Sequence, residues 1–300
     1  MVNVAVLGST GMLGSTMARV LQQNAVNVIE FNRNGAPVIK SNKAEVFDAI
    51  KQGSLDKIVK KSKFDYIVNC IGVVNKLIND KDQDSIDHAY KVNAEFPAEL
   101  NEYSNKFGIP VITIGTDCVY SGKAGKYSED DAFDPIDHYG VSKSIGENAS
   151  TSAMLIRCSI IGREIKSSNS LTEWALAHPK GAVIKGYVNH IWNGVTTLHF
   201  SQIVSAIIEK NNFAASKFHL VPKDSLSKYE LLQIIVREFG RADLKIEKFE
   251  AESTINRSLI TIDTERNFRL WQDGGYNENP TIDQMISTYS TWTQLGKPRY

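Results

Sequence analysis

The sequence predicts an α/β chain: a Rossmann-type, doubly wound parallel sheet followed by a smaller C-terminal lobe. Three observations carry that expectation. Near-continuous apolar runs alternate with helical patterns through the first half, which is how strands covered on both faces read. The chain opens on "VAVLGSTGMLGSTMARVL" (4–21), a glycine loop between a strand and a helix. After about residue 160 the alternation becomes irregular. Residues 1–160 are therefore expected to form the principal domain. Residues 161–300 should form mainly the smaller lobe, interleaved with the end of the first.

The elements follow in order. Val2–Leu7 reads as a strand, Met12–Gln22 as a helix, Val26–Phe31 as a strand and Ser54–Lys63 as a helix. "FDYIVNCIG" (64–72) is a third strand. Residues 84–107 are helical with Pro97 inside, and a proline there implies a kink or a break. "IPVITIG" (109–115) is a strand, Ser142–Ala149 a helix and "AMLIRCS" (153–159) a further strand. Beyond these, "KSSNSLTEWALAHP" and "SKYELLQIIVREFG" are helical, with short strands between them. Three hundred residues, 42% hydrophobic and 23% charged, suffice for a sizeable core. Thirty-four basic residues balance thirty-four acidic ones, so no whole-protein field recruits nucleic acid or an acidic membrane. Cys70, Cys118 and Cys158 suggest a reducing compartment and show no metal-site spacing. With no apolar run of membrane-spanning length and a strand at the start, a cytoplasmic location is expected.

Gly8, Gly11 and Gly14 form a GxxGxxG pattern. The first permits a tight turn, the second the close approach of a pyrophosphate, and the third close packing of helix on strand. The helix N-terminus then offers its free N–H groups to phosphate, so Gly8, Thr10, Gly11, Met12 and Leu13 are candidate dinucleotide contacts. At the end of the second strand an Asp or Glu would select NAD through the ribose 2′-hydroxyl. Here Asn32 and Arg33 stand instead, with Glu30 inside the strand. The cation favours the 2′-phosphate of NADP(H), although a solvated loop arginine would read the same way.

Thr116 follows the strand ending at Gly115, so its hydroxyl falls at the carboxyl edge of the sheet, where open α/β sheets bind ligands. In "HYGVSKSIGEN" (138–148), Tyr139 and Lys143 are one helical turn apart and return to that edge. Each residue alone has a bland reading. Together they form what carbonyl reduction needs: a hydroxyl to orient the carbonyl oxygen, a phenol to protonate it, and an ammonium to lower the phenol's pKa.

With these motifs, "YIVNCIG", "VNAEFPAEL", "TDCVY", "EDDAFDPIDHYGVSKSIGE" and "LIRCS" occur in one order. The chain thereby resembles the extended short-chain dehydrogenases/reductases, and more narrowly the dTDP-4-dehydrorhamnose reductase family, over residues 1 to about 210. The resemblance implies that Thr116, Tyr139 and Lys143 are catalytic and that Lys143 also holds the nicotinamide ribose. It implies that Asp48, with Ala49, lies at the adenine and that Cys70, Ile71 and Gly72 run along the cofactor. It implies further that Asn93 helps to position the lysine, and that Val74, Thr116, Trp192 and Asn193 meet substrate. Trp192 reads equally as a stacking platform or a core tryptophan. The family usually has an aromatic residue where Cys118 stands, and a Pro-Thr within the stretch that here reads "NHIWNGVTTLHF" (189–200).

The implied substrate is a nucleotide-linked 4-keto-6-deoxysugar, with no nucleic acid, membrane or metal involved and a homodimer left open. Relatives on this fold include 4,6-dehydratases, whose Asp-Glu pair after the Thr is here Asp117-Cys118. Epimerases that retain NAD usually carry the acidic residue that Asn32-Arg33 replaces. A non-catalytic nucleotide-binding subunit is the alternative from another class.

Overall fold

Val4, Ala5, Val6 and Leu7 have no exposed surface at all, so the strand they form is covered on both faces. It opens a computed structural model that describes residues 2–165 and 168–295. The first half comprises β1 (Asn3–Leu7), α1 (Met12–Gln23), β2 (Asn27–Asn32), β3 (Lys43–Val46), α2 (Ser54–Lys61), β4 (Tyr66–Asn69), α3 (Gln83–Tyr90), α4 (Phe96–Phe107), β5 (Val111–Ile114), α5 (His138–Ala149) and β6 (Met154–Arg157). The second half adds β7 (Ile160–Ile161), α6 (Leu171–Leu176), β8 (Val183–Tyr187), β9 (His190–Trp192), β10 (Val195–Thr196), α7 (Thr197–Glu209) and β11 (Ser216–His219). It continues with β12 (Leu226–Ser227), α8 (Lys228–Glu238), β13 (Lys245–Phe249), β14 (Ile255–Asn256), α9 (Thr264–Asp273) and α10 (Ile282–Leu295). Of the helical stretch expected from residue 166, Lys166 and Ser167 lie outside the described residues.

One seven-stranded sheet organises the molecule, in the order β11-β6-β5-β4-β1-β2-β3, with every neighbouring pair parallel. The order reverses between β1 and β4, which opens a crevice at their carboxyl ends. Helices cover both faces over two apolar clusters. One is centred on Val4, Met17, Ile112, Phe200 and Trp271, the other on Leu7, Phe31, Ile67 and Phe96. Burying one such aliphatic side chain contributes roughly 1.5–3 kcal/mol. The second half of the chain returns β11 to the sheet edge, and small sheets β12-β9-β14 and β13-β8 build the rest of the lobe.

Two boundaries depart from the sequence reading for physical reasons. Helix α5 starts at His138, four residues before the expected Ser142, because the Asp137 carboxylate accepts the Gly140 N–H at 2.7 Å and caps it there. The break expected at Pro97 falls instead on a π-helical turn, Lys91–Glu95, between α3 and α4. Pro97 has no N–H for the Asn93 carbonyl. That carbonyl faces α5, where a Cβ on Gly146 would stand 2.0 Å from it, so only glycine lets the two backbones meet.

Beneath the carboxyl edge lies an ion pair that water scarcely reaches. Glu147 and Arg157 are each 2% exposed and meet at 2.6 Å. The Glu147 carboxylate accepts Nε and Nη2 of Arg157 through Oε2 and the backbone N–H of Thr116 through Oε1. Arg157 reaches the Tyr120 hydroxyl and His219 Nε2, and its guanidinium lies over the Phe133 ring. Glu147→Gln should therefore lower stability by about 3–5 kcal/mol, the cost of leaving one partner of a buried pair uncompensated. Urea unfolding measures it, and a loss below about 1 kcal/mol would show that the pair is dispensable.

Candidate active site

The glycine loop has the geometry that its sequence demands. Gly8 adopts φ +81°, and a Cβ on Gly14 would lie 2.1 Å from the Gly8 carbonyl oxygen. Gly8 and Ser9 donate to the Phe31 carbonyl, tying the loop to the end of β2. Helix α1 has no side-chain cap and no acid in its first turn, so its N-terminal N–H groups are open to an anion. Thr10, Gly11 and Met12 are at least partly exposed, while Leu13 is buried beneath them.

At the end of β2 the Asn32 amide donates to Ser9 Oγ and the Ala36 carbonyl, both at 2.9 Å. It is engaged in holding the glycine loop against the following turn. Arg33 is exposed. Glu30 is fully buried and accepts the Val38 and Ile39 N–H groups and the Asn42 amide, which occupies it structurally. Asp48 is half-buried and caps its own turn through the Ile50 N–H, with Ala49 packed on the second cluster.

Across the crevice, Cys70 and Ile71 pack against the apolar clusters, and burial raises the Cys70 thiol. Gly72 and Val74 are exposed. Asn93, buried on the π turn, clamps this loop in both directions: its Oδ1 accepts the Val73 N–H and its Nδ2 donates to the Val73 carbonyl, each at 2.9 Å. The same Nδ2 reaches Ser142 Oγ at 3.1 Å. Asn93 thus joins the loop to α5 through the residue beside Lys143 rather than through the lysine itself.

Thr116, Tyr139 and Lys143 come together where β5 ends and α5 begins. Thr116 is buried, its N–H fixed by Glu147, and its Oγ1 accepts the Cys118 N–H at 3.2 Å and lies 3.4 Å from Asp117 Oδ1. Gly140 allows the approach of α5, since a Cβ there would meet the Cys118 carbonyl at 2.3 Å. Tyr139 is half-buried and hydrogen-bonded to Thr116. Burial pushes its phenol above the ordinary 10.0, Cys118 and the Asp117 and Glu147 carboxylates add to that, and the Thr116 bond opposes it. Lys143 donates to the Ile114 carbonyl at 3.2 Å, and burial lowers its ammonium against the pull of Glu147. Sequence spacing anticipates a phenol drawn down by the lysine; here the direction is upward, with desolvation as the largest cause.

Beside this trio, burial lifts the Asp117 carboxyl against the opposing charges of Lys228 and Arg257. Burial also raises the Cys118 thiol to about 12, which keeps it protonated. Lys228 leads into a cavity of about 540 Å³ in the second lobe. Lys76, Lys185, His178, His190, Trp174 and Tyr187 share its wall, which among the described residues contains no carboxylate.

Trp192 and Asn193 are not among the residues lining that wall. Trp192 is buried in the first cluster with Nε1 bonded to Ser159 Oγ at 2.7 Å. The Asn193 amide is spent on the Leu259 backbone. The sequence reading omitted Glu147, Arg157, Lys228 and Arg257. For the first two a signal was present: an arginine inside the apolar strand "MLIR" demands a buried partner, and Glu147 stands one turn beyond Lys143. Lys228 and Arg257 reach the site only through tertiary folding.

Comparison with known proteins agrees with this architecture. The curated relatives include a probable low-salt glycan biosynthesis reductase of Haloferax volcanii, 27% identical over 161 residues, 52% of each chain. A dTDP-4-dehydrorhamnose reductase of Aggregatibacter actinomycetemcomitans is 28% identical over 151 residues, 49% of this chain and 46% of that one. The chain spans about half the length of the curated relatives it matches. A crystal structure of dTDP-4-dehydrorhamnose reductase from Bacillus anthracis, in complex with NADP, superposes over 98% of this chain and 100% of that one. Its TM-score is 0.77 at 17% identity, a likeness of fold. Residues 2–258 match the family model described as RmlD substrate binding domain. By that match the chain belongs to the RmlD family, the dTDP-4-dehydrorhamnose reductase-like branch of the extended short-chain dehydrogenases/reductases.

Proposed function

We propose that the protein is an NADPH-dependent reductase of the 4-keto group of a nucleotide-linked 6-deoxyhexose, like dTDP-4-dehydrorhamnose reductase. Its place is the synthesis of a deoxysugar or a surface polysaccharide. One observation carries the reading: Thr116, a protonated Tyr139 and Lys143 meet at the sheet edge, between an open glycine loop and a cation-lined cavity. The curated relatives named for glycan and polysaccharide biosynthesis support the setting.

The residues present fit a dinucleotide. Gly8 and Gly14 let the loop and α1 pack where a Cβ would strike Ile71 or the Gly8 carbonyl, the first turn of α1 carries no acid, and Arg33 stands exposed where a 2′-phosphate would lie. Bound NADPH supplies a hydride. The chain's own part is to orient and protonate. Thr116 Oγ1 and the Tyr139 hydroxyl converge on the place of a carbonyl oxygen. Tyr139, kept protonated by burial, gives its proton to that oxygen as negative charge develops. Lys143, anchored on the Ile114 carbonyl, holds a positive charge at the same edge, which favours the phenolate left behind. The cavity's lysines suit a diphosphate, and its Trp174 and Tyr187 rings offer faces for a base or a sugar. NADPH oxidation against a panel of nucleotide-linked 4-keto-6-deoxysugars, with product stereochemistry read by NMR, tests the proposal. A non-catalytic subunit would consume no NADPH with any of them.

Three expectations follow from these roles. Tyr139→Phe should keep NADPH binding and lose roughly 10²–10⁴-fold in turnover, as removal of a general acid does; wild-type turnover would end the proton-donor assignment. Arg33→Ala should weaken NADPH far more than NADH, because only NADPH carries the 2′-phosphate. Equal weakening would make Arg33 a bystander. For pH, the acid form of Tyr139 is the working form in reduction, and its pKa is raised above 10.0. The reductive rate should therefore show no alkaline loss from this group below that pH. Removing the ammonium in Lys143→Met should lower the rate and move any alkaline limb upward. An unchanged rate and limb in Lys143→Met would show the lysine to be uninvolved.

A further inference from the structure

The tautomer and charge of His219 follow from its partners. The ring is fully buried at the end of β11, the edge strand that the second half of the chain lays against β6. Its Nε2 lies 2.7 Å from Nη1 of Arg157, and its Nδ1 lies 2.7 Å from the Ile260 carbonyl oxygen. A guanidinium can only donate, and a carbonyl can only accept. Nε2 is therefore the acceptor and Nδ1 carries the proton, so the imidazole is neutral with both nitrogens occupied. A second proton could go only to Nε2, where it would face a guanidinium N–H at hydrogen-bond distance. Protonation and the Arg157 contact exclude each other.

That contact is two residues from the catalytic threonine. Arg157 donates through Nε and Nη2 to Glu147 Oε2 at 3.1 and 2.6 Å, and Glu147 Oε1 accepts the Thr116 N–H at 2.9 Å. Every link from His219 to Thr116 is thus a short one. Through its other nitrogen His219 holds the segment that carries Arg257, which donates to the Tyr120 carbonyl and Cys118 Sγ on the same turn. The charged and titratable groups around the ring are Arg157 on β6, Glu147 on α5, and Glu129, Asp131 and Tyr120 from the connection between them. Burial and Arg157 hold the imidazole below the ordinary 6.5, against Glu129, the Ile260 carbonyl and Glu147.

We propose that His219 is a positioning residue of the reduction: its neutral ring holds Arg157, and through Glu147 the Thr116 backbone, in the reactive arrangement. The proposal rests on the reductase reading above. When Nε2 takes a proton, Arg157 is driven from it, Glu147 loses a fixed partner, and Thr116 shifts with the carboxylate. The neutral ring is the working form and its pKa is lowered, so its contribution is complete above 6.5 and is lost as pH falls below that value. A reduction that consumes a proton would by itself run faster toward acid. An acid decline in turnover is therefore the mark of this link.

The test follows kcat and KM with NADPH saturating, on whichever 4-keto sugar of the panel is reduced, between about pH 5 and 8, where a histidine changes charge. Wild type should lose kcat below 6.5 with KM little changed, while its tryptophan fluorescence stays native. His219→Leu leaves the Arg157 N–H without an acceptor and should lower kcat roughly ten- to hundredfold at every pH, the scale of a misplaced catalytic group. His219→Gln keeps an acceptor for Arg157 but takes up no proton, so it should recover most of that loss and show no acid decline. Binding of NADPH shows that each variant is folded; should His219→Leu not fold, the His219→Gln profile decides. Long-range nitrogen-15 spectra of wild type should find the proton on Nδ1 and none on Nε2 near neutrality. An acid decline that persists in His219→Gln or coincides with unfolding, wild-type kcat in His219→Leu, or a proton on Nε2 near neutrality overturns the proposal and leaves the reductase reading intact. If wild type reduces no member of the panel, that reading falls and the proposal falls with it.

Discussion

Two charges removed from water, Glu147 and Arg157, hold the working edge of this protein in place. An ion pair at 2% exposure carries a large desolvation cost and persists only where its remaining hydrogen-bonding capacity is filled. Here it is filled by three groups. Thr116 of the catalytic turn, Tyr120 after it and His219 of the edge strand β11 all attach to the same pair. The carboxylate holds the Thr116 N–H, and the arginine holds Tyr120 and His219. The sheet edge and α5 are thereby locked in register behind a threonine whose position matters to fractions of an ångström.

Packing on the other side uses absence rather than charge. Glycines 14, 140 and 146 each occupy a spot where one methyl group would strike a backbone atom within about 2.3 Å. They bring α1 onto the glycine loop, and α5 onto both the 116–118 turn and the π turn. Phosphate cradle, catalytic turn and helix meet more closely than ordinary side chains allow. The site is thus a consequence of backbone approach before it is one of functional groups.

Much of this was legible in the sequence, and the reasons are local. The parallel sheet declared itself through uninterrupted apolar strands, and the glycine loop through its spacing between strand and helix. Thr116, Tyr139 and Lys143 lie within one β–α unit and could be placed on one edge without knowing the rest. What escaped was long-range or short. The strand Lys43–Val46 is an exposed edge of four residues with no apolar signature, and β11 arrives from the second half of the chain. The direction of the phenol's shift was misjudged because spacing along a helix reports neighbours but not desolvation, which here raises its pKa. "WNG" resembled an exposed loop, yet Trp192 is buried on Ser159 and Asn193 is bonded to Leu259, contacts that no local pattern announces.

The π-helical turn at Lys91–Glu95 has a bearing on how this stretch can change length. A π turn accommodates one residue more than an α turn, and each residue of an α-helix advances its phase by about 100°. Ile86 and Ala89 are buried before the turn, Phe96 and Leu100 after it, so the extra residue sets the rotation between two apolar faces. A single deletion at Lys91 or Glu95, the two exposed residues of the turn, would swing one face toward solvent while removing little buried surface of its own. It would also displace Asn93, the clasp between the crevice loop and α5. In this segment the number of residues is constrained as tightly as their identity.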